Sequence, residues 1–84
     1  MPELYQTIAL IKDVPAENLR EGDVATLVDI VPHPAGAEKG AVLELFNAVG
    51  ESIGVAVVPL SAVASLRSDQ MPTVRPLVYV NKVA

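Results

Sequence analysis

Gly50-Glu51-Ser52-Ile53-Gly54 spells G-x-S-x-G, the spacing of a hydrolase nucleophile elbow, in which a serine on a strand-to-helix turn is served by a later acid and histidine. The sole histidine, His33, lies upstream of that serine, and no helical pattern follows it, so the motif reads as a hairpin in which Gly50 serves the turn and Gly54 admits a close neighbour. His33 stands between Pro32 and Pro34, with no second histidine and no cysteine to complete a coordination shell. It is read as a solvated loop residue, not as a general base or metal ligand. Asp29 and Glu44 fall on adjacent expected strands, where a shared cleft would raise one pKa and create an acid–base pair. Charged residues on the outward faces of a small sheet are commoner, and that is the expectation for these two. Glu17, Glu21 and Asp23 around Arg20 and Gly22 offer oxygen atoms to a cation, but a calcium loop needs more of them at defined spacing, which leaves a solvated acidic turn. Gly36-x-x-x-Gly40 encloses polar residues and belongs to a loop, so it is no helix-packing motif. Tyr5, Phe46 and Tyr79 are too dispersed for a base-stacking platform; Phe46 is expected in the core, and Tyr5 and Tyr79 at a rim or subunit contact.

The elements that must position these residues are strands. Valine and isoleucine are abundant, prolines and glycines recur at intervals, and no window of a dozen residues carries a clean helical stripe. Leu4 to Lys12 places Leu4, Ile8 and Leu10 on one face and Tyr5, Ala9 and Ile11 on the other, the two-sided burial expected where a sheet curls into a barrel. Glu21-Gly22-Asp23 is a turn in which glycine takes positive φ. In the second strand, Val24 to Val31, the set Val24, Thr26, Val28 and Ile30 is read as the core face, with Asp29 marking the wetter side; Val28→Asp is then expected to unfold the domain. Pro32 to Gly40 is a long loop, because two prolines lack donors and two glycines add freedom. A hairpin through Asn47 to Glu51 joins strand three, Ala41 to Phe46, to strand four, Ser52 to Val58. A single helical turn is expected over Leu60 to Val63, then a short strand over Ala64 to Arg67. Residues 68–76 break the pattern, and Leu77 to Val83 regains strong β propensity.

Size and charge narrow the functional classes. The chain has 84 residues, no cysteine, 51% apolar residues and a formal charge of −4, at 8.8 kDa and a pI near 4.7. By surface scaling, folding buries roughly 60% of the unfolded area, enough for one domain without a wide margin. No disulfide or metal is available to add stability, so dense aliphatic packing or association must supply it. The six basic residues are scattered, which disfavours a nucleic-acid partner. Glu3 occupies a position where a signal peptide carries Lys or Arg. The aliphatic stretch Ile53–Leu66 is too short to span a bilayer, so no membrane partner and a cytoplasmic location are expected. No repeat or low-complexity tract is evident.

Leu4 to Leu66 resembles the small bacterial domain-of-unknown-function family 4926. The match is carried by LYQTIALIKDVP, the LREGDVATLVDIV run, LELF at Leu43 to Phe46, the Gly50-Glu51 hairpin and VAVVPLSAVASL. The resemblance implies a Src-homology-3-like barrel and transfers no catalytic residue. LREGDVATLVDI is also similar to the Gly-Asp-strand core of the KOW-type barrels of ribosomal and transcription proteins, through Gly22 and Asp23. The expected fold is therefore all-β: a five- to six-stranded Src-homology-3-like barrel over residues 1–67, with residues 68–84 as a linker and C-terminal strand extension that either adds a sixth strand to the same barrel or makes a subunit contact. The expected function is a non-enzymatic protein-interaction or self-association module without cofactor or metal, contacting its partner or a second copy through Tyr5, Leu77, Tyr79, Val80 and Val83. A KOW-like nucleic-acid or ribosome-associated barrel and an antitoxin-like partner of a neighbouring-gene protein are the alternatives.

Overall fold

The computed structural model describes residues 2–32 and 36–77 of the chain. Five strands form one antiparallel sheet: β1 (Thr7–Leu10), β2 (Val24–Val31), β3 (Gly40–Phe46), β4 (Ser52–Pro59) and β5 (Val63–Ser65). Their order is β4-β3-β2-β1-β5. The first four strands are thus a meander, and β5 returns to the free side of β1. Single 3₁₀ turns at Pro15–Glu17 and Leu60–Ala62 are the sole helical elements among the described residues. The second of these lies within the expected turn, and it starts where Pro59 withholds the donor a continuing strand would need.

The long connection between β1 and β2 folds back on itself. Val14 and Leu19 form an antiparallel bridge, the Asp13 carboxylate accepts from the Glu21 N–H at 2.9 Å, and Leu19 reaches the core at 8% exposure. Asn18 closes the Pro15–Glu17 turn in the left-handed conformation, φ 57°, which a short polar side chain tolerates better than most. Gly22 then takes φ 92°, so a residue with a Cβ would be strained where the chain swings into β2. The 3₁₀ turn within this lobe has no counterpart among the expected elements.

Three consecutive residues of β1, Ile8, Ala9 and Leu10, are buried, so the strand is covered on both faces. The expected strand from Leu4 to Lys12 is trimmed at both ends. Tyr5 has φ 67°, which takes it out of extended backbone, and Leu4, Tyr5 and Ile11 are exposed.

The facing expected for β2 fails at Val24, Thr26 and Val28 and holds at Ile30. Ala25 and Leu27 are buried at 4% and 0% exposure, whereas Val24 is 45% exposed. The cause is a bulge: Leu27 pairs with Leu43 and Asp29 with Val42, leaving Val28 as the extra residue. An extra residue shifts the two-residue alternation by one. The inward set is therefore Ala25 and Leu27 followed by Ile30, which packs against the core cluster. Val28 is half-buried and belongs to no part of that cluster, so the expected unfolding by Val28→Asp loses its basis.

The β3–β4 hairpin stands where expected. Asn47 organises its tip: its Oδ1 accepts from the Val49 and Glu51 N–H groups at 3.1 and 2.9 Å, and its carbonyl accepts from the Gly50 N–H at 3.0 Å. Asparagine at the first turn position and glycine at the fourth match this geometry. Gly54 is corrected in its role. No atom lies within 4 Å of a Cβ placed there, so it admits no close neighbour. Instead it follows the extra residue Ile53 of a second bulge and takes φ 154°, a conformation glycine reaches without strain. Phe46, expected inside, is 42% exposed because β3 ends there and its side faces the sheet's rim. β5 covers Val63–Ser65, not Ala64 to Arg67, and residues 66–77 carry no strand.

Candidate cleft between the hairpin and the β1–β2 lobe

A cleft of about 730 Å³ opens between the hairpin tip and the lobe that precedes β2. One wall is apolar: Leu45 and Phe46 from β3, Val49 from the turn and Ile53 from β4. The other carries the polar residues Glu17, Asn18 and Asp23 beside Leu19 and Val24, and the stretch Pro72–Arg75 with Leu77 lies across the opening.

Asp23 is the electrostatic centre of this cleft. One carboxylate oxygen accepts from the Arg20 backbone N–H at 2.8 Å. Arg75 grips both oxygens, Nε to Oδ1 at 2.8 Å and Nη2 to Oδ2 at 2.6 Å, and its Nη2 also donates to the Asn18 carbonyl at 3.2 Å. Paired parallel hydrogen bonds of this kind suit the flat guanidinium better than any other cation. The two side chains keep only 26% and 17% of their surface in water. Burial alone would raise the Asp23 pKa, but the Arg75 hydrogen bond, the Arg20 N–H and the charges of both arginines outweigh it and hold the carboxyl below its ordinary value of 3.8. The ionised form therefore favours the folded state above that pH.

A second polar cluster joins the loop between β2 and β3 to the second 3₁₀ turn. Glu38 accepts from the Ser61 backbone N–H and from Ser61 Oγ, each at 2.9 Å, and Lys12 Nζ donates to the same hydroxyl at 3.4 Å. These two bonds and the nearby lysine lower the Glu38 pKa from its usual 4.5. All three residues are exposed, and the arrangement fastens the loop before β3 to the turn before β5.

The structure separates most of the residues singled out in the sequence. Ser52 opens β4 and its Oγ donates to Glu44 at 2.8 Å, so the G-x-S-x-G stretch is a bulged hairpin strand. Asp29 lies opposite Val42 and Glu44 opposite Thr26, which leaves the two carboxylates on offset positions, and Asp29 accepts from the adjoining Ile30 N–H. Glu17 and Asp23 line the cleft, but Asp23 is taken by arginine, and no cluster among the described residues could hold a metal ion. Tyr5 is 75% exposed and Leu77 45%; Leu77 borders the cleft and Tyr5 does not. His33, Tyr79, Val80 and Val83 lie outside the described residues. Arg75 was missed by sequence reasoning: it stands 52 positions from Asp23, and no local pattern joins them. Among the described residues no helix is long and apolar enough to cross a membrane. No family model, curated protein or solved structure matches the chain.

Proposed function

We propose that this chain is a non-enzymatic interaction module, a Src-homology-3-like barrel of the kind the sequence resemblance implied, which associates with itself or with a protein partner. The observation that carries the reading is β4. It is eight residues long, stands at one end of the sheet order, and presents Val55 and Val57 outward at 64% and 53% exposure. A long apolar edge strand whose outer side has no ladder partner among the described residues is a template for strand addition. The C-terminal sequence Leu77 to Val83 has the β-branched and aromatic composition that such an edge accepts. The strand order, with a 3₁₀ turn just before the strand that returns to β1, supports the barrel topology.

The test is the solution mass of the full chain beside the double variant Val55→Lys, Val57→Lys, by sedimentation and light scattering. Both positions point outward, so the lysines leave the interior intact while charging the edge. The wild type is expected to associate and the variant to run as a monomer with an unchanged β spectrum. Monomeric wild type that captures no partner through this edge removes the reading.

A further inference from the structure

Residues 71–77 cross the cleft without joining the sheet, and no backbone hydrogen bond links them to the described residues of the barrel. Among the described residues, the hydrogen bonds that fasten them to the cleft come from one side chain: Arg75 on Asp23 and on the Asn18 carbonyl. The acceptors are fixed before the arginine arrives. Asp23 is oriented by the Arg20 N–H, and Asn18 by the end of the Pro15–Glu17 turn. Pro72 and Pro76 flank the arginine and favour an extended backbone on either side.

The apolar half of the cleft is poorly satisfied by this strap. Val74 remains 85% exposed and Met71 83%, while on the opposite wall Val49 stays 80%, Ile53 43% and Phe46 42% exposed. The strap therefore supplies the arginine that the polar wall recognises and leaves the apolar wall wet. A segment presenting the same arginine together with aliphatic or aromatic groups over Phe46 and Ile53 would bury more surface. The neighbouring Glu17 and the chain's net charge of −4 favour a basic occupant.

From this we infer that the cleft is a receptor for an extended, arginine-bearing, proline-flanked segment of another protein, and that the chain's own Pro72–Pro76 stretch occupies it as a displaceable internal competitor. The inference rests on the interaction-module reading and names a partner chemistry for it. Because the strap and the incoming segment share one acceptor set, binding is conditional: only a ligand that also engages the apolar wall outcompetes a tethered arginine.

The experiment is a fluorescence-anisotropy titration of full-length protein with a labelled peptide of the strap sequence, Met71 to Leu77. The Arg75→Ala protein, with its strap released, is expected to bind the peptide at least about tenfold more tightly than wild type. Asp23→Asn in that background keeps an acceptor for the Arg20 N–H and is expected to abolish the gain. A peptide with its arginine replaced by alanine should bind neither protein. Equal affinity of wild type and a folded Arg75→Ala protein, or equal binding of the two peptides, overturns the assignment. So does a wild-type dimer that Arg75→Ala dissolves, since the strap of a second copy would then be the occupant. A failed titration beside a wild type that associates through β4 removes the cleft assignment alone and leaves the module reading standing.

Discussion

Replacing Leu27 and Val28 one at a time by alanine tests the strand facing on which every statement about the outer surface depends. Leu27 is fully buried, so its truncation loses the transfer free energy of the removed carbons and leaves a cavity, about 3 kcal/mol together. Val28 is the extra residue of the bulge, half-buried and outside the core cluster; its truncation is expected to cost under about 1 kcal/mol, the span of strand preference on a partly wet face. A domain of 84 residues has a total stability of about 4–13 kcal/mol, so Leu27→Ala stays folded but uses a large share of it. With roughly 4–8 °C per kcal/mol for a chain of this size, its melting midpoint should fall by about 12–24 °C, and that of Val28→Ala by a few degrees. Ile30→Ala adds the decisive comparison. With the bulge, Ile30 returns to the core side and its truncation falls between the other two; with strict alternation from Leu27, position 30 would point outward and cost as little as position 28. Urea unfolding followed by circular dichroism, with unchanged slope confirming that the denatured state is not what moved, measures all three. A larger loss at Val28 than at Leu27 would refute the facing and with it the outward placement of Val55 and Val57.

Arg75→Met should lower stability by about 1 kcal/mol near pH 6, given a two-pronged ion pair that is mostly shielded from water. Because Asp23 titrates below 3.8 in the folded chain, the stability from its charge is present above that pH and lost as pH falls through the lowered value; the stability gap between the two proteins should shrink steadily as pH falls below 3.8, and a gap independent of pH in that range contradicts the assignment. Asn18→Ala should cost about 1 kcal/mol through its left-handed backbone, while Asn18→Gly should be close to neutral, a contrast that thermal melts resolve and that equal losses would deny.

Strand positions were legible in the sequence, strand facings less so, and the physical reason is local. Pro15, Pro59 and Gly50 interrupt β-rich runs because a missing donor or a positive φ cannot be repaired by a neighbour. Their effect is therefore written at the residue itself, and β2, β3 and β4 fall within a residue of expectation. Facing is a phase, and one inserted residue resets it. Val28 has no composition that marks it as a bulge, and the exposed Asp29 beside it made the inner set, Ala25 and Leu27, look like the wet one. Tyr5 misled in the same way: an aromatic in a β-rich run reads as strand, but its left-handed backbone ends the strand early. The cleft was less legible still, since Asp23 and Arg75 are brought together by the whole sheet and the return of the chain across it.

The apolar composition left dense packing or association to supply the stability, and among the described residues most of it lies outside the buried core. Of the twelve buried apolar residues, five are alanine: Ala9, Ala25, Ala41, Ala56 and Ala62. A small interior fills with small groups before it accepts large ones. The displaced volume appears outside, where thirteen larger apolar side chains among the described residues are exposed. Scattered singly, such residues carry no message. Here they are grouped by the fold: Ile53, Val55 and Val57 follow one another along the edge strand β4, and Phe46 and Val49 join Ile53 at the cleft. A sheet too narrow to enclose its own aliphatic residues gains stability by covering them with another chain, so the small size of the core and the proposed role in association have one physical origin.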